Sequence, residues 1–187
     1  MVTARDIYFK QAKIQDLTDL TILKRLGFKP GIRDENINNF VHTMRAFPGG
    51  FLMMKLKPHW DNIGYVCNEI WREYPQSPEE MQKHFDLNHD IDHTHYPYGE
   101  LLYICSMVVH PMYQGMHLGH LLLEECLTKL PRSHPKLKGA VLIVNEEWLP
   151  AVSICKYFGF KEKDRINGFF KAFGCDAKDG IIMEKNL

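Results

Sequence analysis

Residues 101–130 read LLYICSMVVHPMYQGMHLGHLLLEECLTKL, and the fold turns on this stretch. The apolar, β-branched run up to Val109 has the composition of a buried strand. His110, Pro111 and Met112 then turn the chain toward Gln114, Gly115 and Gly119. Leu118, Leu121, Leu122, Cys126, Leu127 and Leu130 recur at helical spacing, which predicts an amphipathic helix closed by Pro131. Glycines at a helix opening let a ligand approach the backbone, and the unpaired amides there, at the positive end of the helix dipole, favour an anion. The segment predicts a phosphate cradle.

Spacing excludes two nucleotide cradles. A P-loop needs a lysine and a Ser or Thr after its last glycine, whereas His120 and Leu121 follow Gly119. A dinucleotide fingerprint needs three glycines and an acidic residue about 20 positions on, in a parallel βαβ unit. The loop instead resembles motif A of the GNAT superfamily of N-acetyltransferases: Gln or Arg, two residues, Gly, one residue, then Gly or Ala. Gln114 and Gly119 match, and the first glycine is replaced by His117. Dihedrals ordinary for a helix start are expected at His117, whose imidazole can donate to phosphate.

A second segment extends the resemblance. Residues 140–145, AVLIVN, read as a short buried strand, and residues 150–158 as a helix opening at Pro150 and ending in Gly159-Phe160. Asn145, Ala151, Gly159 and Phe160 match motif B of the same superfamily, while its tyrosine position, four residues before Gly-Phe, holds Cys155. The resemblance implies an α/β (α+β) fold. In it a mixed, mostly antiparallel sheet is splayed at the cofactor site and flanked by helices, forming one domain over residues 1–187.

The remaining pattern agrees with that order. Residues 7–12 read as a first strand, 16–26 and 35–45 as helices, Gly49-Gly50 as a turn, and 51–57 with 63–71 as a hairpin. Residues 165–173 and 181–185 read as closing strands. With 187 residues, 45% of them hydrophobic, the chain can fill one core. Residues 1–10 are polar and mixed, and no apolar run approaches the roughly 20 residues needed to span a bilayer, so neither a leader nor a membrane segment is expected. Five cysteines without CxxC spacing fit a reducing cytoplasm. A net charge of zero gives no footprint for nucleic acid or anionic membrane.

The resemblance implies acetyl-CoA as co-substrate. Its pantetheine arm would run along Met107, Val108 and Val109, with the pyrophosphate on the amides of Gln114, Gly115, Met116, His117, Leu118, Gly119 and His120, and Asn145 at the facing strand end. Lys129, Arg132, Lys136 and Lys138 would either steer the adenosine phosphate or form a solvated face. The reaction is direct attack of an amine on the thioester, which requires a base for the ammonium and an acid for the departing thiolate. Base candidates are Glu100, at the strand mouth, and Tyr103, which alternates with Cys105, Met107 and Val109 on one face. The acid candidate is Cys155; Tyr157, two residues on, points about 200° away.

Residues 72–100 carry an acidic excess, including Asp86, Asp90 and Asp92, interleaved with Tyr74, Phe85, Tyr96 and Tyr98. With Trp71, these rings read either as the wall of a site for a cationic arylalkylamine or polyamine, or as an ordinary loop with a few core-facing rings. His89, Asp90, Asp92, His93 and His95 all crowd into seven residues, whereas a metal site usually draws a ligand from a distant element, so no metal is expected. His93 and His95 remain candidates for a proton path. The expected partner is a small-molecule amine, with a homodimer compatible with the chain. Acetylation of a protein lysine or N-terminus, and a non-catalytic acyl-CoA-binding protein, are the alternatives.

Overall fold

Residues 3–28, 38–59, 61–173 and 178–187 are described by a computed structural model. One seven-stranded sheet runs through the chain in the order β1-β2-β3-β4-β5-β7-β6. Its strands are β1 (Ile7–Gln11), β2 (Phe51–Leu56), β3 (Asp61–Trp71), β4 (Leu101–Val109), β5 (Gly139–Asn145), β6 (Lys161–Ile166) and β7 (Gly180–Asn186). Every pairing is antiparallel except β4 with β5. The helices are α1 (Leu17–Gly27), α2 (Asn38–Ala46), α3 (Pro78–Phe85), α4 (Ile91–Thr94), α5 (Leu118–Ser133) and α6 (Leu149–Tyr157).

The parallel pair is short. Leu101, Leu102 and Tyr103 face Gly139, Ala140 and Val141, and beyond them the two strands part. β4 also carries an extra residue. Asn68 pairs with Ile104 and Cys67 with Ser106, so Cys105 bulges out of register. The bulge switches the sides. Leu102, Ile104 and Met107 belong with the core under α5 and α6, whereas Tyr103, Cys105 and Val108 belong with the opposite face. The expected alternation of Tyr103, Cys105, Met107 and Val109 on one face is therefore broken after Cys105, with Met107 and Val109 packing on the α5 side.

α5 presents Leu118, Leu122, Leu123, Cys126 and Leu130 to its core, as the 3.6-residue period requires. Pro131 lies inside the helix, which runs on to Ser133. Pro131 has no N–H to offer the Leu127 carbonyl, and the Ser133 hydroxyl has the carbonyls of Lys129 and Leu130 within reach at 3.2 and 3.1 Å. Asn68, buried beneath the helix, is bonded through both ends of its amide: the nitrogen donates to Gly50 O at 2.7 Å and the carbonyl accepts from Cys126 Sγ at 3.1 Å. The other face is covered by α1, α2 and the Trp71–Phe85–Tyr103 aromatic cluster.

The last strands differ from the sequence pattern. β6 begins at Lys161 and ends at Ile166, and residues Phe169–Phe173 form a 3-10 turn. Gly168 at φ 62° turns the chain there, and Phe169 and Phe170 are drawn into the core beside Trp71 and Tyr103. The predicted start of the second helix at residue 35 lies outside the described residues. Among the described residues no helix is long and apolar enough to cross a membrane.

Candidate active site

The loop before α5 has the geometry of an anion cradle. Gly115 has φ 78° and His117 φ 59°, so the expected ordinary helix-start dihedrals at His117 do not occur. The histidine occupies the left-handed conformation that the glycine of the resembled motif would take without strain; histidine is among the residues enriched there. Two left-handed residues alternating with ordinary ones turn successive amides inward. The amides of Gly115, Met116, His117, Leu118 and Gly119 make no hydrogen bond to another described residue, while Gln114 Nε2 donates to Val109 O at 3.0 Å and ties the loop to β4. Gly119 has a further constraint. A Cβ there would lie 2.9 Å from Ile154 Cδ1, so the glycine also permits the approach of α5 to α6.

The parting of β4 from β5 leaves a cavity of about 350 Å³ that is lined from both faces of the sheet. Met107, Leu123, Ala151 and Cys155 line it on the α5 side, and Phe40, Tyr103, Cys105 and Phe170 on the other. Its outer rim is formed by Asn38, Asn39 and His42 of α2 and by residues 87–91 of the insertion. His42 Nδ1 lies 3.1 Å from Asp92 Oδ2, and ligand atoms of His42, Asp90 and Asp92 lie within 4.8 Å of one another, all three residues exposed. The carboxylates of Asp90 and, next to it, Asp92 thus border an apolar interior whose lining also includes the buried Lys24.

The predicted site residues separate into two groups. Tyr103, Met107 and Cys155 line the cavity. Tyr103 is buried, stacked on Trp71 at 4.1 Å between centroids. Cys155 is buried and its thiol is pushed up to about 12 by desolvation. Burial, with the thiol of Cys67 and the charge of Glu69, likewise raises Cys105. Glu100 stands apart: it precedes the paired, closed end of the splay and binds Lys138 Nζ at 2.7 Å in the open, far from the cradle end of β4. Asn145 uses its Oδ1 to accept from Glu147 N at 2.9 Å, fixing the turn into α6. Val108 is buried under α1 and α2, Leu118, the first residue of α5, is buried in the core on that helix's inner face, and the ring of His120 packs on Tyr157, which is exposed.

Several expectations from the insertion are corrected. Trp71 and Phe85 are core residues, Tyr96 sits under Arg72 and Tyr98 under Lys136, so the cavity takes its rings from Phe28, Phe40, Tyr103, Trp148 and Phe170. Lys129 and Arg132 lie in the last turns of α5 and Lys136 and Lys138 beyond it; at 1.5 Å per residue Lys129 is about 15 Å from Gly119. His93 is exposed beside Asp90, and His95 stacks on Phe47 with Nδ1 accepting from Ile70 N at 3.0 Å. Burial lowers the basicity of His95, in keeping with an unprotonated acceptor nitrogen.

Sequence reading passed over one group. Glu69, wholly buried on β3, accepts from Trp71 Nε1 at 2.6 Å, from Thr94 Oγ1 at 2.7 Å and from His89 Nε2 at 2.7 Å. A carboxylate inside the apolar run of residues 63–71 was the available signal, since a buried charge requires a partner.

A splayed parallel pair, an amide cradle at the following helix and a cavity lined from both faces of the sheet are together the arrangement that the sequence resemblance implied. The acetyltransferase (GNAT) family model matches residues 63–160, more than half of the chain. The chain belongs to the GNAT family. It is therefore an acyltransferase of the N-acetyltransferase kind. Solved GNAT structures superpose over nearly the whole molecule. The loading GNATL domain of CurA from Lyngbya majuscula has a TM-score of 0.80 at 14% identity, covering 96% of this chain and 97% of that one. The GphF GNAT-like decarboxylase in complex with isobutyryl-CoA has a TM-score of 0.76 at 15% identity over 96% and 98%. Arabidopsis thaliana Naa50 in complex with the bisubstrate analogue CoA-Ac-MVNAL has a TM-score of 0.72 at 16% identity over 97% and 99%. At these identities the likeness is one of fold. No curated protein matches the chain in sequence.

Proposed function

We propose that the protein transfers the acetyl group of acetyl-CoA to a primary amine, a small cationic arylalkylamine or polyamine, by direct attack on the thioester. The observation that carries this reading is the cavity at the splay, bordered by the His42–Asp90–Asp92 group, together with the unbonded amides of residues 115–119 between β4 and α5. The diphosphate sits on the amides of residues 115–119, those of Gln114 and His120 being bonded to the carbonyls of Pro111 and His117, and the pantetheine arm lies along residues 107–109, where β4 pairs with β3 on one edge and has no β5 partner on the other. The thioester is then held in the splay, and an ammonium attracted by the carboxylates of Asp90 and Asp92 reaches it from the opposite face.

An alkyl amine with a pKa near 10 is neutral in only about one molecule in a thousand at pH 7, so a proton must leave before attack. Tyr103 lies in the cavity wall and can relay that proton to water; Glu100, bound to Lys138 at the closed end, is left out of this path. Cys155 faces the departing sulfur as a protonated thiol. The desolvation that raises Cys155 acts equally on a CoA thiolate released beside it, which keeps the two groups comparable in basicity.

The bisubstrate complex of Naa50 contains a peptide, and a peptide N-terminus is also an ammonium, so acetylation of a protein N-terminus is the second reading. A panel of diamines, arylalkylamines, aminoglycosides and short peptides, read by release of free CoA thiol, separates the two. Preference for diamines or arylalkylamines supports the proposal. Preference for peptides replaces it, and binding of CoA with no turnover on any acceptor identifies a non-catalytic acyl-CoA-binding protein.

A further inference from the structure

The contact between β3 and the insertion is a closed network around one proton. His89 Nδ1 lies 2.6 Å from the carbonyl of Asp86, which can only accept, so Nδ1 carries a hydrogen. Nε2 lies 2.7 Å from Glu69 Oε1, which requires a second proton between nitrogen and carboxylate. Both carboxylate oxygens are otherwise engaged by Trp71 and Thr94. Glu69 is fully buried and the His89 side chain only 10% exposed. Residues 87–91, held between these anchors at Asp86, His89 and Thr94, form the part of the insertion that lines the cavity.

We propose that Glu69 and His89 share one proton in a buried pair that positions the acceptor wall of the cavity, so that acceptor affinity, and not CoA affinity, falls when that proton leaves. The inference rests on the acceptor reading above. Both are positioning residues: Glu69 holds His89, and His89, itself part of the lining, holds the backbone that carries Asp90 and Ile91. Titratable neighbours facing the pair are Cys67 on β3, Tyr103 and Cys105 on β4, and Asp86, Asp90 and His95 of the insertion; from α2, His42 is turned to Asp92. Desolvation pulls the basicity of His89 down, but the bond and charge of Glu69, with the Asp86 carbonyl, outweigh it and raise the imidazole. The raised folded value means that the pair's contribution is complete below the ordinary histidine range, about 6.5, and is lost as pH rises through the folded value.

The first test is nitrogen NMR of the histidine rings in the wild-type protein, with His89 assigned by His89→Gln. The expected result is that both ring nitrogens of His89 still carry protons at neutral pH; a neutral His89 ring there overturns the proposal. The second test compares acceptor KM between wild type and His89→Gln, which keeps a donor to Glu69 but no titrating proton. The amine's own ionisation cancels in this ratio. The ratio should rise by about fivefold or more from mildly acidic to alkaline pH while the Kd for CoA stays equal in the two proteins; a constant ratio, or a parallel change in CoA affinity, overturns the proposal. Should the variant not fold, hydrogen exchange of the wild-type amides of His93 and His95 replaces it. These should open at alkaline pH faster than base catalysis alone requires, and purely base-catalysed exchange counts against the pair. The NMR and exchange arms need no turnover, so they stand even where the amine panel fails.

Discussion

Gly119 on α5 and Ile154 on α6 meet so closely that a Cβ at the glycine would lie 2.9 Å from Ile154 Cδ1. The cradle and the interhelical contact are thus the same residue. Gly119→Leu should weaken CoA binding by at least about tenfold, or 1.4 kcal/mol, while a turn of the Ile154 side-chain end makes room for the new Cβ and keeps the protein folded. Calorimetry with CoA checks the affinity, and a thermal scan checks that the variant is folded. Equal CoA affinity in a folded variant would place the cradle elsewhere.

His117 supplies a separate test of the loop. Its left-handed conformation costs a side chain about 1–2 kcal/mol, which glycine avoids, although glycine gives back part of the gain through a freer unfolded chain. His117→Gly should leave stability equal or higher by up to about 1 kcal/mol, and His117→Val should lower it by more than 1 kcal/mol. Urea unfolding of the two variants is the measurement. CoA affinity of His117→Gly then isolates what the imidazole itself contributes to phosphate binding.

At the rim, Asp92 is the cleaner position to reverse. The Asp90 carboxylate also accepts from Asp92 N and caps α4, so its loss adds a helix-capping cost of about 1 kcal/mol, whereas Asp92 faces His42 in the open. Asp92→Lys should raise the KM for a diamine several-fold, leave a neutral or anionic amine little changed, and lose its effect as salt is added. Acidic acceptors that outperform diamines on the wild type would remove the basis for a cationic substrate.

Cys155→Ala should lower kcat by roughly tenfold to a hundredfold with CoA affinity little altered, whereas Tyr157→Phe, at an exposed ring, should change neither. With its thiol raised to about 12, Cys155 stays protonated below that value, so its removal should not change the shape of the rate profile at neutral and mildly alkaline pH. A wild-type limb in that range that disappears in Cys155→Ala would show a thiol of ordinary acidity. The reverse ranking of Cys155 and Tyr157 would show that the departing sulfur lies outside the cavity.

Legibility followed the range of the interactions. The strand and helix around the cradle, the β2–β3 hairpin and the short helix α6 are written in local periodicity and in Gly and Pro punctuation, so their bounds agree with the pattern to within a few residues. The closing strand failed at residues 165–173 because burial of Phe169 and Phe170 against Trp71 and Tyr103 overrode their β propensity. For the lysines and arginine after residue 128, of the two readings the solvated face fits the helix, which carries its two ends apart so that sequence proximity to the cradle is lost over about three turns.

The amino-acid sequence by itself determined the family, the order of elements and the loop of amides, since each depends on neighbours within a few residues along the chain. Only the tertiary structure decided which side chains share the cavity. The bulge at Cys105 exchanges the faces of β4, the parting of β4 from β5 opens the sheet, and α2 and the insertion bring His42 to Asp92 across 50 residues. Glu69 and His89 are 20 positions apart, and their pairing follows from the requirement that a charge withdrawn from water on β3 be met by a donor from whichever segment folds over it.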